Sequence, residues 1–175
     1  MSRISFAQVN SISDPLDQSS FELLIGNVPI AGETLDLTIK TQTASIPGMS
    51  TEVFETMLHG HVIKVRGRKV YPRTLSTTMI EDSVFGTTNK IRQWSEFIAG
   101  SESGNSQGFR ADYAVDAQLI VYNTKGDPIS RTIFENFFPQ EISDTQLDGS
   151  SSAVVSVSVT WSYDRIVSPM GHPLL

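Results

Sequence analysis

His59-Gly-His61 sets two imidazoles two positions apart, a spacing at which strand residues share a face and can reach one metal ion. No third ligand lies nearby, and His172 belongs to the C-terminal tail, so the pair reads as exposed turn histidines. Serines are abundant, yet none sits in a Gly-x-Ser-x-Gly elbow or has a histidine and aspartate spaced to activate it. The carboxylate pairs Asp112/Asp116 and Glu141/Asp144 are of the type that does general acid–base work, but on alternating strands they read as solvated faces. The glycines of 100–108 lack the lysine of a phosphate loop. Lys64-Val-Arg-Gly-Arg-Lys69 gathers four cations in six positions. It reads as a charged hairpin tip or as a surface for an acidic partner. Cysteine is absent, which removes disulfides, thiolate nucleophiles and cysteine-based metal sites. The expectation is a non-enzyme with no catalytic residue, no cofactor and no metal site.

The elements that would position these groups are mostly short alternating strands. With 175 residues the chain reads as one domain at 19–167, preceded by a polar arm (1–18) and followed by a short tail (168–175). Its apolar share of 39% is spread over runs with one wetted face. A net charge of −6 argues against tight phosphate binding. No run approaches the roughly 20 apolar residues of a spanning helix, so no membrane anchor is expected.

Residues 21–25 read as a strand. Residues 34–41 read as a second, with Leu35, Leu37 and Ile39 on one face and Thr34, Asp36, Thr38 and Lys40 on the other. Residues 44–49 break the pattern, and 51–58 read as a hairpin arm outside the main sheet. Residues 61–66 and 74–80 follow as a strand pair. From about 83 to 99 the period changes: Ile91, Trp94 and Ile98 form a helical stripe, with Asp82, Ser83 or Thr87 as start caps and Gly100 at the end. Residues 110–122 read as the longest strand, with Ala111, Tyr113, Val115, Ala117, Leu119 and Val121 inward and Arg110, Asp112, Asp116 and Gln118 outward. Lys125-Gly-Asp-Pro128 reverses it into 129–138, an aromatic strand that ends at Pro139. Finally 155–163 alternates apolar residues with Ser or Thr. The fold class predicted is mainly β, an antiparallel β-sandwich or barrel with one flanking α-helix. The loop segment with Ile46, Pro47, Met49, Val53 and Phe54 has more apolar surface than a loop needs, so it packs either on a neighbouring subunit or over its own core.

Three stretches carry a family resemblance: Ile91-Arg-Gln-Trp-Ser-Glu-Phe-Ile-Ala-Gly100, Phe137-Phe-Pro-Gln140, and Asp144-Thr-Gln-Leu-Asp148 leading into 155–163. Their order over about 20–166 resembles the tail tube proteins of contractile-tailed bacteriophages, whose fold is shared with type VI secretion tube proteins. The resemblance implies hexameric rings of this chain, stacked into a tube that conducts DNA during ejection. It further implies partners in the tail sheath, baseplate, tail terminator and tape measure proteins, location in the virion tail, and assembly in the host cytoplasm. On that reading Asp36, Thr38, Lys40, Asp112, Asp116 and Gln118 would line a non-adhesive channel, because many Lys/Arg contacts would hold a passing duplex. Lys40 and Arg110 would pair with carboxylates of the next ring. The alternatives are a tube-initiation or baseplate protein, a bacteriocin tube of the same fold, or a β-barrel that binds a small ligand.

Overall fold

The computed structural model describes residues 16–30, 35–100, 109–150 and 152–167. The arm, Thr34, the Gly/Ser loop and the tail anticipated above lie wholly or largely outside them. The described strands are β1 (Phe21–Ile25), β2 (Thr41–Ala44), β3 (Ser50–Leu58), β4 (His61–Val70), β5 (Thr74–Ile80), β6 (Val115–Tyr122), β7 (Pro128–Ile142), β8 (Ser156–Ser162) and β9 (Arg165–Ile166). The helices are α1 (Leu35–Lys40), α2 (Gly86–Ala99) and α3 (Arg110–Tyr113). Seven strands form one antiparallel sheet in the order β1-β6-β7-β8-β5-β2, with β9 on β7, and β3–β4 stands apart as a two-stranded sheet.

Strand β7 belongs to two halves of the sheet. Its residues up to Phe137 pair with β6, and Phe138 to Ile142 pair with β8. Within the β6-paired stretch Glu135 and Asn136 face Asp116 alone, a bulge that bends the strand just before the change of partner. Asn136 takes φ +56° there, its N–H reaches Asp116 Oδ1 at 3.3 Å, and its side-chain amide donates to Asp164 Oδ2 at 2.7 Å. The strand therefore does not end at Pro139. That proline is buried opposite Trp161, beside a second register shift where a missing N–H is tolerated.

The bend folds the sheet over one core. Leu23, Ile25, Ala117, Leu119, Phe134 and Phe137 come from one half, and Leu75, Met79, Val157, Val159 and Trp161 from the other. Ile91 and Trp94 of α2 and Leu37 of α1 complete it. Trp161 stacks on Phe137 with centroids 4.8 Å apart and tilts against Trp94 at 5.7 Å. The alternation of β5 and β8 is as the sequence dictates, with Ser156, Ser158 and Thr160 outside and Val157, Val159 and Trp161 inside.

Three expectations are corrected. Residues 35–40 form a helix and not a strand: Leu37 is buried while Ile39 is 71% exposed, so the two cannot share one inward face. A six-residue apolar alternation fits either period, and here Lys40 closes the helix by reaching Asp82 at 2.7 Å. Residues 110–113 are a short helix, so the long strand begins only at Val115. Trp94 Nε1 donates to the Tyr113 carbonyl at 2.9 Å, and the Tyr113 ring meets Phe138 edge-on, which holds this turn off the ladder. The strand 61–66 pairs with β3, while β5 lies between β2 and β8. Among the described residues, the long helix α2 is accompanied by the short helices α1 and α3.

The start of α2 is fixed by two carboxylates. Glu81, buried, accepts from the N–H groups of Asp82, Thr87 and Thr88 and from the Thr88 hydroxyl, while Asp82 accepts from Val84 and Gly86 N–H. These bonds satisfy donors the first helical turn leaves open. Burial pushes the Glu81 carboxyl up, but hydrogen bonds from Thr88, Asp82 and Thr87 outweigh it and leave the group below its usual range. The Lys40 ammonium, with Gly86 N–H, holds Asp82 at about 2. A carboxylate depressed in the folded state stabilises the fold fully above its unfolded pKa and loses that contribution as pH falls through the folded value. Thermal melts should therefore lose midpoint as pH drops from 4.5 toward 2, and Glu81→Gln with Asp82→Asn should flatten that slope. An unchanged slope would show that other carboxylates govern acid unfolding.

Gly26, following β1, is a close-approach position. A Cβ there would lie 2.7 Å from the Asp116 carbonyl oxygen, which already accepts the Gly26 N–H. Gly26→Ala is expected to cost about 1–3 kcal/mol in urea unfolding by forcing β1 off β6.

Candidate functional site: an exposed hairpin and two sheet faces

The β3–β4 hairpin turns at His59 and Gly60, with φ of +48° and +80°. A two-residue turn with both φ positive matches the twist of the flanking strands. Both histidines are exposed, His59 in the turn and His61 at the start of β4, and no cluster of metal-ligating residues occurs among the described residues. Direct partners in the register share a face. Phe54, Thr56 and Leu58 lie with Val65, Ile63 and His61 on one side, and Val53, Glu55 and Met57 with Arg66, Lys64 and Val62 on the other.

Both sides are wetted. Phe54 is 62% exposed and Met57 73%, and Leu58, Val62, Ile63 and Val65 are exposed as well. A lone two-stranded hairpin is marginal in water, and apolar surface on both its faces is the mark of a contact surface. The cations are not at the tip, as the sequence reading had one alternative, but along β4. Lys64 pairs with Glu55 at 3.2 Å and Arg68 with Glu52 at 3.1 Å.

The inter-subunit candidates of the sequence reading fall at the root of this arm or on it. Ile46, Met49, Val53 and Phe54 are exposed and Pro47 is half-buried. Ile46 also lines a groove of about 640 Å³ at the seam between β1 and β2, with Leu16, Phe21, Ala44, Leu119 and Val121. Sequence reasoning placed Met57 and Leu58 on the arm without naming them as contacts, and missed Val62, Ile63 and Val65 because 61–66 was paired with 74–80. The two-residue turn at His59-Gly60 between equal apolar runs was the signal.

The channel candidates do not form one surface. Asp36, Thr38 and Lys40 belong to α1, and Lys40 is held by Asp82. Asp112 is exposed on α3 and does not share a strand with Asp116, whose carboxylate caps the β7 bulge. Gln118 is on the same face of β6 as Asp116. Arg110 pairs within the subunit with Asp164. The outer face of this half also carries Glu22, bonded by the Tyr122 hydroxyl at 2.7 Å, and Glu135, bonded by Arg165. The outer face of the other half differs: Ser76, Thr78, Ser158, Thr160 and Ser162 occupy it.

The chain is thus a bent antiparallel β-sheet with an apolar arm held outside its core. The family described as "Phage tail tube protein" matches residues 4–168, and the chain belongs to that family. No curated protein matches it in sequence. Among solved structures, the anti-feeding prophage tube-terminating cap is similar at a TM-score of 0.62 and 14% identity, covering 89% of this chain and 91% of that one. The tube complex of an extracellular contractile injection system ("PVC sheath-tube complex in extended state") is similar at 0.59 and 16%, covering 94% and 97%. These likenesses concern the fold.

Proposed function

We propose that this chain is the tube subunit of a contractile tail, a structural and non-catalytic virion protein. It forms hexameric rings that stack into the conduit for DNA, inside a sheath and between a baseplate and a terminator, around a tape measure protein. The observation that carries this is the β3–β4 arm, whose apolar residues have no cover among the described residues, in a chain of the tail tube family. A second copy is the economical cover, since the arm is basic in an otherwise acidic chain. Residues 50–70 hold Lys64, Arg66, Arg68 and Lys69 against Glu52 and Glu55, while the whole chain is at −6. A neighbour in fold comes from a contractile injection system, which favours a contractile tail.

Sedimentation velocity and negative-stain microscopy of the purified chain test the proposal. Hexameric rings or tubes support it, and long tubes point to the main tube subunit where single rings would point to an initiator. A strict monomer at all concentrations overturns it.

A further inference from the structure

We propose that the basic hollow where the arm joins the sheet receives the acidic loop after β7 of a second copy, so that copies meet end to end along β8. The contact rests on the tube reading and names a pair of surfaces which that reading leaves open. The hollow measures about 350 Å³ and is walled by Arg68 to Tyr71 at the end of β4, by Arg73, and by Tyr163 to Ile166 around β9. Buried Tyr163 fixes its rim: the hydroxyl donates to the Pro72 carbonyl, and the N–H donates to the Arg73 carbonyl at 3.1 Å.

The charges of this wall are unequally used. Arg68 pairs with Glu52 at 3.1 Å, Arg165 pairs with Glu135, and the wall's carboxylate, Asp164, pairs with Arg110 at 2.5 Å. Lys69 and Arg73 have no carboxylate partner among the described residues, in a chain whose net charge is −6. Two open cations in one wall with Val70 and Ile166 suit two carboxylates that carry an apolar side chain between them. A nucleic acid asks for a row of cations along its backbone, and two in a hollow do not make one.

Such a group exists on the same chain. Asp144, Leu147 and Asp148 are exposed on the loop that follows β7, Leu147 at 69%. Among the described residues Asp144 has no cationic partner, and Asp148 bonds only to the N–H and hydroxyl of Ser150. The loop leaves the sheet where the Ser143 N–H bonds to the Ser158 carbonyl, near the start of β8, whereas the hollow opens beyond Ser162 at the other end. The seven residues of β8 set the two roughly 20 Å apart. One copy therefore leaves loop and hollow unmatched, and a second copy displaced along the strand direction brings them together. Because the two surfaces differ, the contact is head to tail and repeats from copy to copy, as a stack requires.

Complementary charge reversal tests the contact. One variant carries Lys69→Glu with Arg73→Glu, and another carries Asp144→Lys with Asp148→Lys. All four residues are exposed, so both variants should melt like the wild type, with Arg73→Glu and Asp144→Lys alone as substitutes if a double variant melts early. By sedimentation velocity and negative-stain microscopy, either variant alone should need roughly tenfold or more the wild-type concentration to form tubes, since like charges then meet. An equal mixture should assemble within roughly threefold of the wild-type concentration, because the reversed hollow of one fits the reversed loop of the other, a rescue that misfolding cannot give. Where the wild-type chain forms tubes, normal assembly of either variant alone, or no rescue in the mixture, overturns this contact and leaves the tube reading standing. If the wild-type chain forms no tube, the tube reading falls and this contact with it. Short duplex DNA is the rival occupant: binding by wild-type subunits that Lys69→Glu with Arg73→Glu abolishes gives the hollow to nucleic acid and overturns the proposal.

Discussion

Trp161→Ala is expected to cost the subunit about 3–5 kcal/mol, the range for removing a large aromatic from a packed core. The indole is fully buried, stacks on Phe137, touches Trp94, and donates from Nε1 to Thr77 Oγ1 at 2.8 Å. Its removal opens a cavity where both half-sheets and α2 meet, and leaves the buried Thr77 hydroxyl without that donor. Against a typical total stability of about 5–15 kcal/mol, a loss of that size takes roughly a fifth to all of the margin. Urea unfolding followed by circular dichroism checks this, with Trp161→Phe as the milder partner that keeps the stacked ring but loses the indole N–H, at about 1–2 kcal/mol. A loss under about 1 kcal/mol for Trp161→Ala would mean that the halves close over the vacated space.

Phe54→Asp combined with Met57→Asp should abolish tube formation at concentrations where the wild-type chain assembles fully. Burying a side chain of either kind contributes about 1.5–3 kcal/mol, and every copy in a tube loses both. Subunit stability should stay within about 0.5 kcal/mol per site, because both residues lie outside the core. Sedimentation velocity paired with a thermal melt separates the effects. Normal tubes from a normally melting variant would remove the arm from the assembly interface.

Strict alternation over many residues was legible. In 155–163 Val157, Val159 and Trp161 went inward because both neighbours of β8 are strands that hold its register. The stripe Ile91, Trp94 and Ile98 likewise marked α2, and the reversal at Lys125 was fixed by local chemistry, with Asn123 Oδ1 accepting from Lys125 and Asp127 N–H. Short segments were misread where a distant partner decides the conformation. Leu35, Leu37 and Ile39 alternate like a strand, yet one buried Leu37 and the Lys40–Asp82 pair make a helix. Ala111 and Tyr113 extend the β6 pattern, yet the Trp94 indole claims the Tyr113 carbonyl. For the assembly surface, the excess of apolar residues at 46–54 was visible, but its other strand was not, because 61–66 fits a main-sheet strand equally well until its partner is known. The channel residues suffered most, since a face can be read from alternation only where the strand is real.

The sharing of β7 between both half-sheets has a mechanical meaning. Two sheets stacked only through side chains can slip past one another under load, since packing contacts are weak against shear. Here one covalent backbone crosses from the β6 side to the β8 side through the bulge at Asn136. A push on one half reaches the other through bonded chain and not through the packed interior. Sliding one half past the other must therefore break backbone pairs of β7 as well as separate the packed side chains.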